Sequence, residues 1–497
     1  MLARYLLCLA KNEVKLPIRT GLMQYYEPLV QSLPVIETGI REFVFAGSEQ
    51  SAANIVLKNG RQWDYGNLGP FDELSLTGRL VNAPVRVLLG GSDLPYSEYQ
   101  TIFTGLAGAP VRDDAGADMR VPVRSMLALL DKKIPSVTYT TTDYPSLEPN
   151  ADGRVIPLLI GVCLNVKPTQ VNTTNWTFRL GQSFKKLLRI RSGGVQVWQD
   201  GDSVGDPGDI VESITEASGE FKMQLWSGDT LTCDVEGEAA IGGALIETYG
   251  TVVRLLCMTA GIDPETALDG DAIDAMDTAA PEALGLVIDQ PTKINDIMNL
   301  MDASVCATHG VTPAGLITAR AWDADYDTVG AVSFDETDLR DLVVSVDDSR
   351  LYRTVRLGYA KNHTRQGETA HDALTDPSAV QEDWSHEYRW VDLGDDDVLL
   401  YYDNDEELVV DTCLIAAADA DDVAGRYADL TGQPWLIVEF RSRLAPLELA
   451  IGDTIVIDHE RLGDVSGQYY KVINLSMNQN NSSVTVRAYR LLSREAL

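Results

Sequence analysis

Glu220-Phe-Lys-Met-Gln-Leu225, the turn Ser227-Gly228 and Thr230-Leu-Thr-Cys-Asp-Val235 decide the class of this fold. In both runs apolar and polar side chains alternate. A period of two sends successive side chains to opposite faces of a pleated strand, so each run predicts a strand with one buried face. The alternation recurs upstream in Thr177-Phe-Arg-Leu180, Leu188-Arg-Ile-Arg191 and Gly194-Val-Gln-Val-Trp198. Ser192-Gly193, Asp200-Gly201 and Ser218-Gly219 punctuate these runs as turns. With the apolar run Arg154-Val-Ile-Pro-Leu-Leu-Ile-Gly161, they predict a middle antiparallel β domain over residues 140–240.

Working outward, residues 1–139 carry further short strands. Arg41-Glu-Phe-Val-Phe-Ala46, Ala53-Asn-Ile-Val-Leu-Lys58, Val85-Arg-Val-Leu-Leu89, Tyr99-Gln-Thr-Ile-Phe-Thr-Gly105 and Met119-Arg-Val-Pro-Val-Arg124 are separated by Asn59-Gly60 and Gly90-Gly91-Ser92-Asp93. Regular short strands with such turns predict a closed or nearly closed barrel. Ser125 is placed to cap a short helix through Asp131, whose Leu129 and Leu130 would plug a barrel end.

Residues 241–330 read as a partly helical linking domain. Leu245, Tyr249, Val252, Val253 and Leu256 mark one helical face within Ile241–Ala260, with Gly261 as the stop. Thr292 is placed to cap a second helix with Ile294, Ile297, Met298 and Met301 on its buried face. The acidic stretch from Asp263 to Pro281 reads as loop or marginal helix. Residues 331–497 return to strands: Leu342–Val346, Thr354–Tyr359, Pro434–Phe440, Thr454–Ile457, Tyr469–Leu475 and Val484–Arg490, interrupted by a helix from Ala418 to Leu430. The fold class is therefore mainly β with minor α and multi-domain. Two tube-like β-barrel domains flank the β middle domain and the small helical region.

The chain has 497 residues, more than one ordinary core accommodates. Apolar residues at 45% and charged residues at 23% describe a globular chain, and no run is long and apolar enough for a membrane helix. The start, Met1-Leu-Ala-Arg-Tyr-Leu-Leu-Cys-Leu-Ala10, is too short in its apolar part for a signal peptide and reads as a strand or short helix. A net charge of −34 argues against a surface that grips nucleic acid, and would let DNA pass nearby without sticking. Cys8, Cys163, Cys233, Cys257, Cys306 and Cys413 are scattered, with no Cys-x-x-Cys pair, so neither zinc nor a disulfide framework is expected.

The inventory for catalysis is thin. His309, His363, His371, His386 and His459 are the histidines, none with another four residues on. His386-Glu387 continues as Tyr388-Arg389-Trp390 and not as a zinc-protease motif. Phosphate-loop and nucleophile-elbow patterns are absent. Asp323, Asp325 and Asp327 have the opening spacing of a calcium loop, but Thr328 and Phe334 stand where Gly and Glu are required. Asp395-Asp396-Asp397 and Asp403-Asn404-Asp405-Glu406-Glu407 read as solvated acidic loops. No catalytic, cofactor-binding or metal residue is assigned, and the chain is expected not to be an enzyme.

The order of segments resembles the baseplate hub proteins at the tail tip of long-tailed, siphovirus-like bacteriophages. Asn54-Ile-Val-Leu-Lys-Asn-Gly60, Phe71-Asp72-Glu73, Leu76-Thr-Gly-Arg-Leu80, Val85-Arg-Val-Leu-Leu-Gly90 and Ile102-Phe-Thr-Gly-Leu106 are similar to the opening barrel of that family. Pro157-Leu-Leu-Ile-Gly161 through Asn165-Val166, and Thr230-Leu-Thr-Cys-Asp-Val-Glu-Gly237, resemble its middle domain. Leu449-Ala-Ile-Gly-Asp-Thr-Ile-Val456, Gly467-Gln-Tyr-Tyr-Lys-Val472 and Val484-Thr-Val-Arg-Ala-Tyr489 resemble its closing barrel. Residues 360–430 depart from the pattern.

The resemblance implies a structural virion protein, made in the bacterial host cytoplasm and placed at the tail tip or baseplate. There it would end the tail tube, adapt its symmetry and line the DNA channel. It implies self-association, as a homotrimer or alternatively a hexamer. Partners would be the distal tail protein, the tape measure protein and tail-fibre or tip proteins, with phage DNA passing unbound. Roles in host attachment and DNA ejection follow, and no cofactor is implied. The alternatives are a distal tail protein ring, a host-receptor or carbohydrate-binding baseplate protein, and a tail enzyme that cleaves the cell wall.

Overall fold

A computed structural model of the chain describes residues 30–33, 35–40, 48–52, 54–58, 80–90, 96–112, 118–204, 210–240, 243–365, 386–443, 449–478 and 483–492, with strand pieces Ile18–Arg19 and Met23–Gln24. The fold is mainly β with few helices, divided among several sheets and hydrophobic clusters. The strand expected at Arg41–Ala46, the turn Asn59-Gly60, the segment Phe71–Glu73, most of Leu76–Leu80, Gly91–Asp93, the first ten residues with Cys8, and His371 lie outside the described residues.

The middle region is two facing sheets. Val162–Val166, Leu231–Glu236, Lys186–Ser192, Val195–Gln199 and Asp202–Ser203 form one. Thr169–Asn172, Thr177–Arg179, Glu220–Met223 and Val211–Thr215 form the other. Cys163, Ile190, Cys233 and Val235 from the first meet Phe178, Phe221 and Met223 from the second in one core. Phe178 stacks on Phe221 with centroids 5.5 Å apart, and Trp226 stands edge-on to Phe178 at 5.1 Å. The two alternating runs that mark the fold class thus belong to opposite sheets, and Ser227-Gly228 lies in the connection that crosses between them.

The helices pack beside this sandwich. The first begins at Tyr249, later than the expected Ile241, and runs to Thr259. The backbone N–H of Thr248 donates to Thr251 Oγ1 at 3.2 Å, and Leu245 sits instead in a bridge with Ala239. Gly261, at φ +67°, follows the helix as expected. Ile294–Val305 buries Ile294, Ile297, Met298 and Met301, the predicted face. Thr292 does not cap it: Thr292-Lys293 pairs as a strand with Lys133-Ile134. The acidic stretch between these helices is itself helical, over Pro264–Ala267 and Gly270–Ala279. Asp263 and Asp269 accept from the N–H groups of Glu265 and Ala272, so these acids act as N-caps.

An eight-stranded sheet organises the rest. Its main path runs Val332–Phe334, Thr454–Ile457, Gln468–Asn478, Ser483–Leu491, Trp435–Ser442, Arg340–Asp347. The two end strands of this path are neighbours in sequence, separated only by residues 335–339. That link reaches about 20 Å at full extension, so the sheet has to curl until its ends approach. Accordingly the rings of Phe334, on the first strand, and Phe440, on the fifth, lie 5.2 Å apart across the interior. Ile455, Ile457, Val472, Val486 and Val438 fill the same interior. Among the described residues the end strands do not pair with each other, so the curl is not hydrogen-bonded shut.

The N-terminal strands join this sheet directly. Gln468–Asn478 shares one edge between two partners: its first half pairs with Thr454–Ile457, and Asn474–Met477 pairs with Ile36–Gly39. Gly39 lies against the Asn474 side chain so closely that a Cβ there would come 2.3 Å from its Nδ2. Val87, Ile102, Phe103 and Val123 enter the C-terminal core, while Val30, Leu57, Ala107, Met119 and Val121 keep a small core of their own. The expected strand Met119–Arg124 is split at Pro122, which has no N–H to donate. Asp118–Val121 pairs with Ile55–Lys58, and Val123–Ser125 pairs with residues of Gln100–Ala107. Ser125 caps the short 3₁₀ helix Met126–Asp131 by accepting from Leu127 N at 3.2 Å.

Candidate assembly edge

Arg340-Asp-Leu-Val-Val-Ser-Val-Asp347 is rich in β-branched residues, which favour the pleated backbone. On one side it pairs with Trp435–Ser442: Val343 with Glu439, Val344 with Val438, Ser345 with Ile437, Val346 with Leu436. Directly paired residues share a face. Val344 and Val346 therefore point, with Val438 and Leu436, toward the interior of the curled sheet. Yet Val344 is 41% exposed and Val346 57%, and Val343 on the outer face is 57% exposed. Nothing pairs with the far side of this strand among the described residues. The strand at the other end of the path carries Val332, also exposed, so apolar residues flank the opening from both sides.

Proteins guard such edges with Lys, Pro, bulges or short length. Here the one irregularity lies at the start, where the register shifts between Arg340 and Val343 and Asp341 adopts φ +54°. Asp341 is held by Arg441 at 3.1 Å. From Leu342 to Val346 the strand has no charge and no proline. It presents a row of outward N–H and C=O groups beside exposed valines, which is the chemistry of strand addition.

The residues weighed for catalysis or metal binding are dispersed. His309 is buried; its Nδ1 lies 2.7 Å from Asp302 Oδ2 and its Nε2 3.1 Å from Asn295 Oδ1, and the Tyr249 hydroxyl donates to Asp302 Oδ1 at 2.6 Å. Burial, with Lys361 nearby, pushes the partly buried His363 down to about 4. The His386 carbonyl accepts from Asn362 Nδ2, and His459 Nδ1 accepts from Arg461 N at 3.1 Å.

The acidic candidates are engaged elsewhere. Asp323 binds Lys471 Nζ at 2.5 Å, Asp327 accepts from Val329 N, and Asp325 faces Asp429, whose carboxyl burial and that neighbour raise. Asp395 caps the helix Asp396–Tyr402, and Arg353 ties Asp396 to Asp405. Cys163, Cys233, Cys257, Cys306 and Cys413 are buried and unpaired, with burial raising the Cys163 thiol to about 12. No group of three or more metal-ligating side chains gathers among the described residues.

One polar cluster escapes alternation-based reading. Arg191 and Asp234 are buried side by side, with bonds of 2.7 and 2.6 Å from the two Nη atoms to the two carboxylate oxygens. Arg191 Nη1 also donates to Asn165 Oδ1 at 2.8 Å, and Asn165 Nδ2 donates to Asn362 Oδ1 at 2.6 Å. The cluster ties the sandwich to residues beyond Tyr359. The run Leu188-Arg-Ile-Arg191 places both arginines outside by its period, and gives no signal that the second is buried.

No known family model matches the chain, and no curated protein matches it in sequence. Among solved structures it is similar to the 43 kDa tail protein of prophage MuSo2 from Shewanella oneidensis, at 10% identity over 94% of this chain and 96% of that one, with a TM-score of 0.44. It is similar to a chain of the virion of a native gene transfer agent particle, at 13% identity over 74% and 91%, with a TM-score of 0.47. It is also similar to a tail protein from Neisseria meningitidis MC58, at 9% identity over 95% and 94%, with a TM-score of 0.42. At these values the likenesses assign neither family nor role. Among the described residues no helix is long and apolar enough to cross a membrane.

Proposed function

We propose that this chain is a non-enzymatic structural protein of a phage tail tip, a baseplate hub that ends the tail tube, adapts its symmetry and lines the DNA channel. The observation that carries the proposal is the curled sheet with a valine-lined opening between Val332–Phe334 and Arg340–Asp347. An open edge of this kind is satisfied by a strand from another subunit. Repetition of one chain around an axis then builds a wall of strands. A net charge of −34 keeps such a wall from holding a polyanion passing through it.

In this reading the chain assembles as a homotrimer in the virion and contacts the distal tail protein, the tape measure protein and tail-fibre or tip proteins. Electron microscopy of the purified full chain tests it. Three-fold annular particles with a central opening are expected. Six-fold rings would replace the hub with a distal tail ring, and a chain that stays monomeric at every concentration would overturn the assembly role.

A further inference from the structure

The hairpin tip between Thr169–Asn172 and Thr177–Arg179 presents a tryptophan in an unusual way. Trp176 has φ +57°, the left-handed region that glycine or asparagine occupies readily and a bulky side chain rarely does. The tip is held on several sides. Asn172 Oδ1 accepts from the N–H groups of Thr174 and Asn175, at 2.9 and 3.1 Å. Thr173 donates to the Ser146 carbonyl through both its N–H and its hydroxyl. The Trp176 carbonyl accepts from Met223 N at 3.1 Å.

The indole gives little back to the core for that strain. The residue is 37% exposed and stands outside the sandwich's core cluster, whose aromatic packing is made by Phe178, Phe221 and Trp226. Strain at an exposed bulky residue points to what the residue presents.

The surroundings define the chemistry. Residues 168–178 contain no charged side chain, in a chain of net charge −34. Thr173, Thr174 and Asn175, which precede Trp176 in the turn, are exposed, and so is Leu225, on the chain that continues from the paired strand Glu220–Met223; the charge nearest in the sheet, Lys222 opposite Thr177, is neutralised by Glu212 at 2.7 Å. A flat aromatic face with uncharged hydroxyl and amide groups at its rim matches the C–H face and equatorial hydroxyls of a pyranose, and matches neither a phosphate nor a charged peptide. We infer that the sandwich tip at Trp176 is a binding site for a neutral pyranose of a surface glycan. The fixed turn keeps the cost of ordering the site low on binding.

Saturation-transfer NMR on the full chain, with cellobiose, lactose and N,N′-diacetylchitobiose as separate probes, tests this. Transfer to the ring protons of at least one probe is expected for the wild type. It should fall about five-fold or more in Trp176→Gly, which removes the indole and relieves the backbone, and be partly kept in Trp176→Phe. Trp176→Gly should melt no lower than the wild type, which separates loss of the site from loss of the fold. Absence of transfer from all three sugars, equal transfer in Trp176→Gly, or binding of an apolar peptide alone at this tip would each overturn the assignment.

Discussion

Replacing Val343 and Val346 together by lysine interrogates the open edge without touching the monomer's core. Both side chains are 57% exposed, so the isolated subunit loses little, within about 0.5 kcal/mol. An incoming strand would cover the remaining surface. Full burial of a valine is worth about 1.5 kcal/mol, which leaves about 0.9 kcal/mol for each site and close to 2 kcal/mol for the pair. That difference, about 1.8 kcal/mol, weakens a single contact about 20-fold. The desolvation of two ammonium groups adds to it, so the figure is a floor. Sedimentation equilibrium over a wide concentration range measures the constant directly, with circular dichroism and thermal melting as checks on the fold. A dissociation constant within about three-fold of the wild type, in a variant with an unchanged melt, would refute strand addition at this edge.

Two further outcomes concern the subunit itself. Arg191→Ala takes the two-pronged guanidinium from the buried Asp234 carboxylate and leaves it the Asn165 N–H at 3.0 Å and the half-exposed Arg189 at 3.8 Å; it should cost about 3 kcal/mol in chemical denaturation, with part recovered in the Arg191→Ala/Asp234→Ala double variant, and a loss under about 1 kcal/mol would contradict the burial argument. His363, held down to about 4 by burial and by Lys361, resists a proton that the unfolded chain takes up near pH 6.5. Stability from this group is therefore intact above about pH 6.5 and declines as the pH falls toward 4. Between pH 7 and pH 5 the wild type should lose about 2 kcal/mol more than His363→Gln, measured by denaturant unfolding at both values.

Local pattern carried much of the fold. Thr454–Ile457 is a strand over the residues its β-branched run marks, and the helix read as Ala418 to Leu430 extends over Ala417–Thr431. What alternation could not carry was partnership. Glu220–Met223 and Leu231–Glu236 have the same period but go to different sheets, because a period fixes which face is buried and says nothing of which strand lies alongside. Asp263 and Asp269 resemble loop acids until their neighbours' N–H groups turn toward them. The edge at Arg340–Asp347 was hidden for a similar reason. Its valines match those of an interior strand, and only the path of the whole sheet leaves them at its margin.

The pairing of Ile36–Gly39 with Asn474–Met477 has a consequence for biogenesis. The early strand has to wait for a partner that lies more than 430 residues further along the chain. At a bacterial elongation rate of about 5–20 residues per second the interval is about twenty to ninety seconds. Through that time Ile36, 2% exposed in the finished fold, lacks the C-terminal share of the core that covers it, Leu475 and Met477 among it. Closing so long a loop is slow as well, since its entropy is lost before any contact returns stability. Yield in a cell should therefore depend on how well the emerging chain is shielded during translation, more than on how stable the completed protein is.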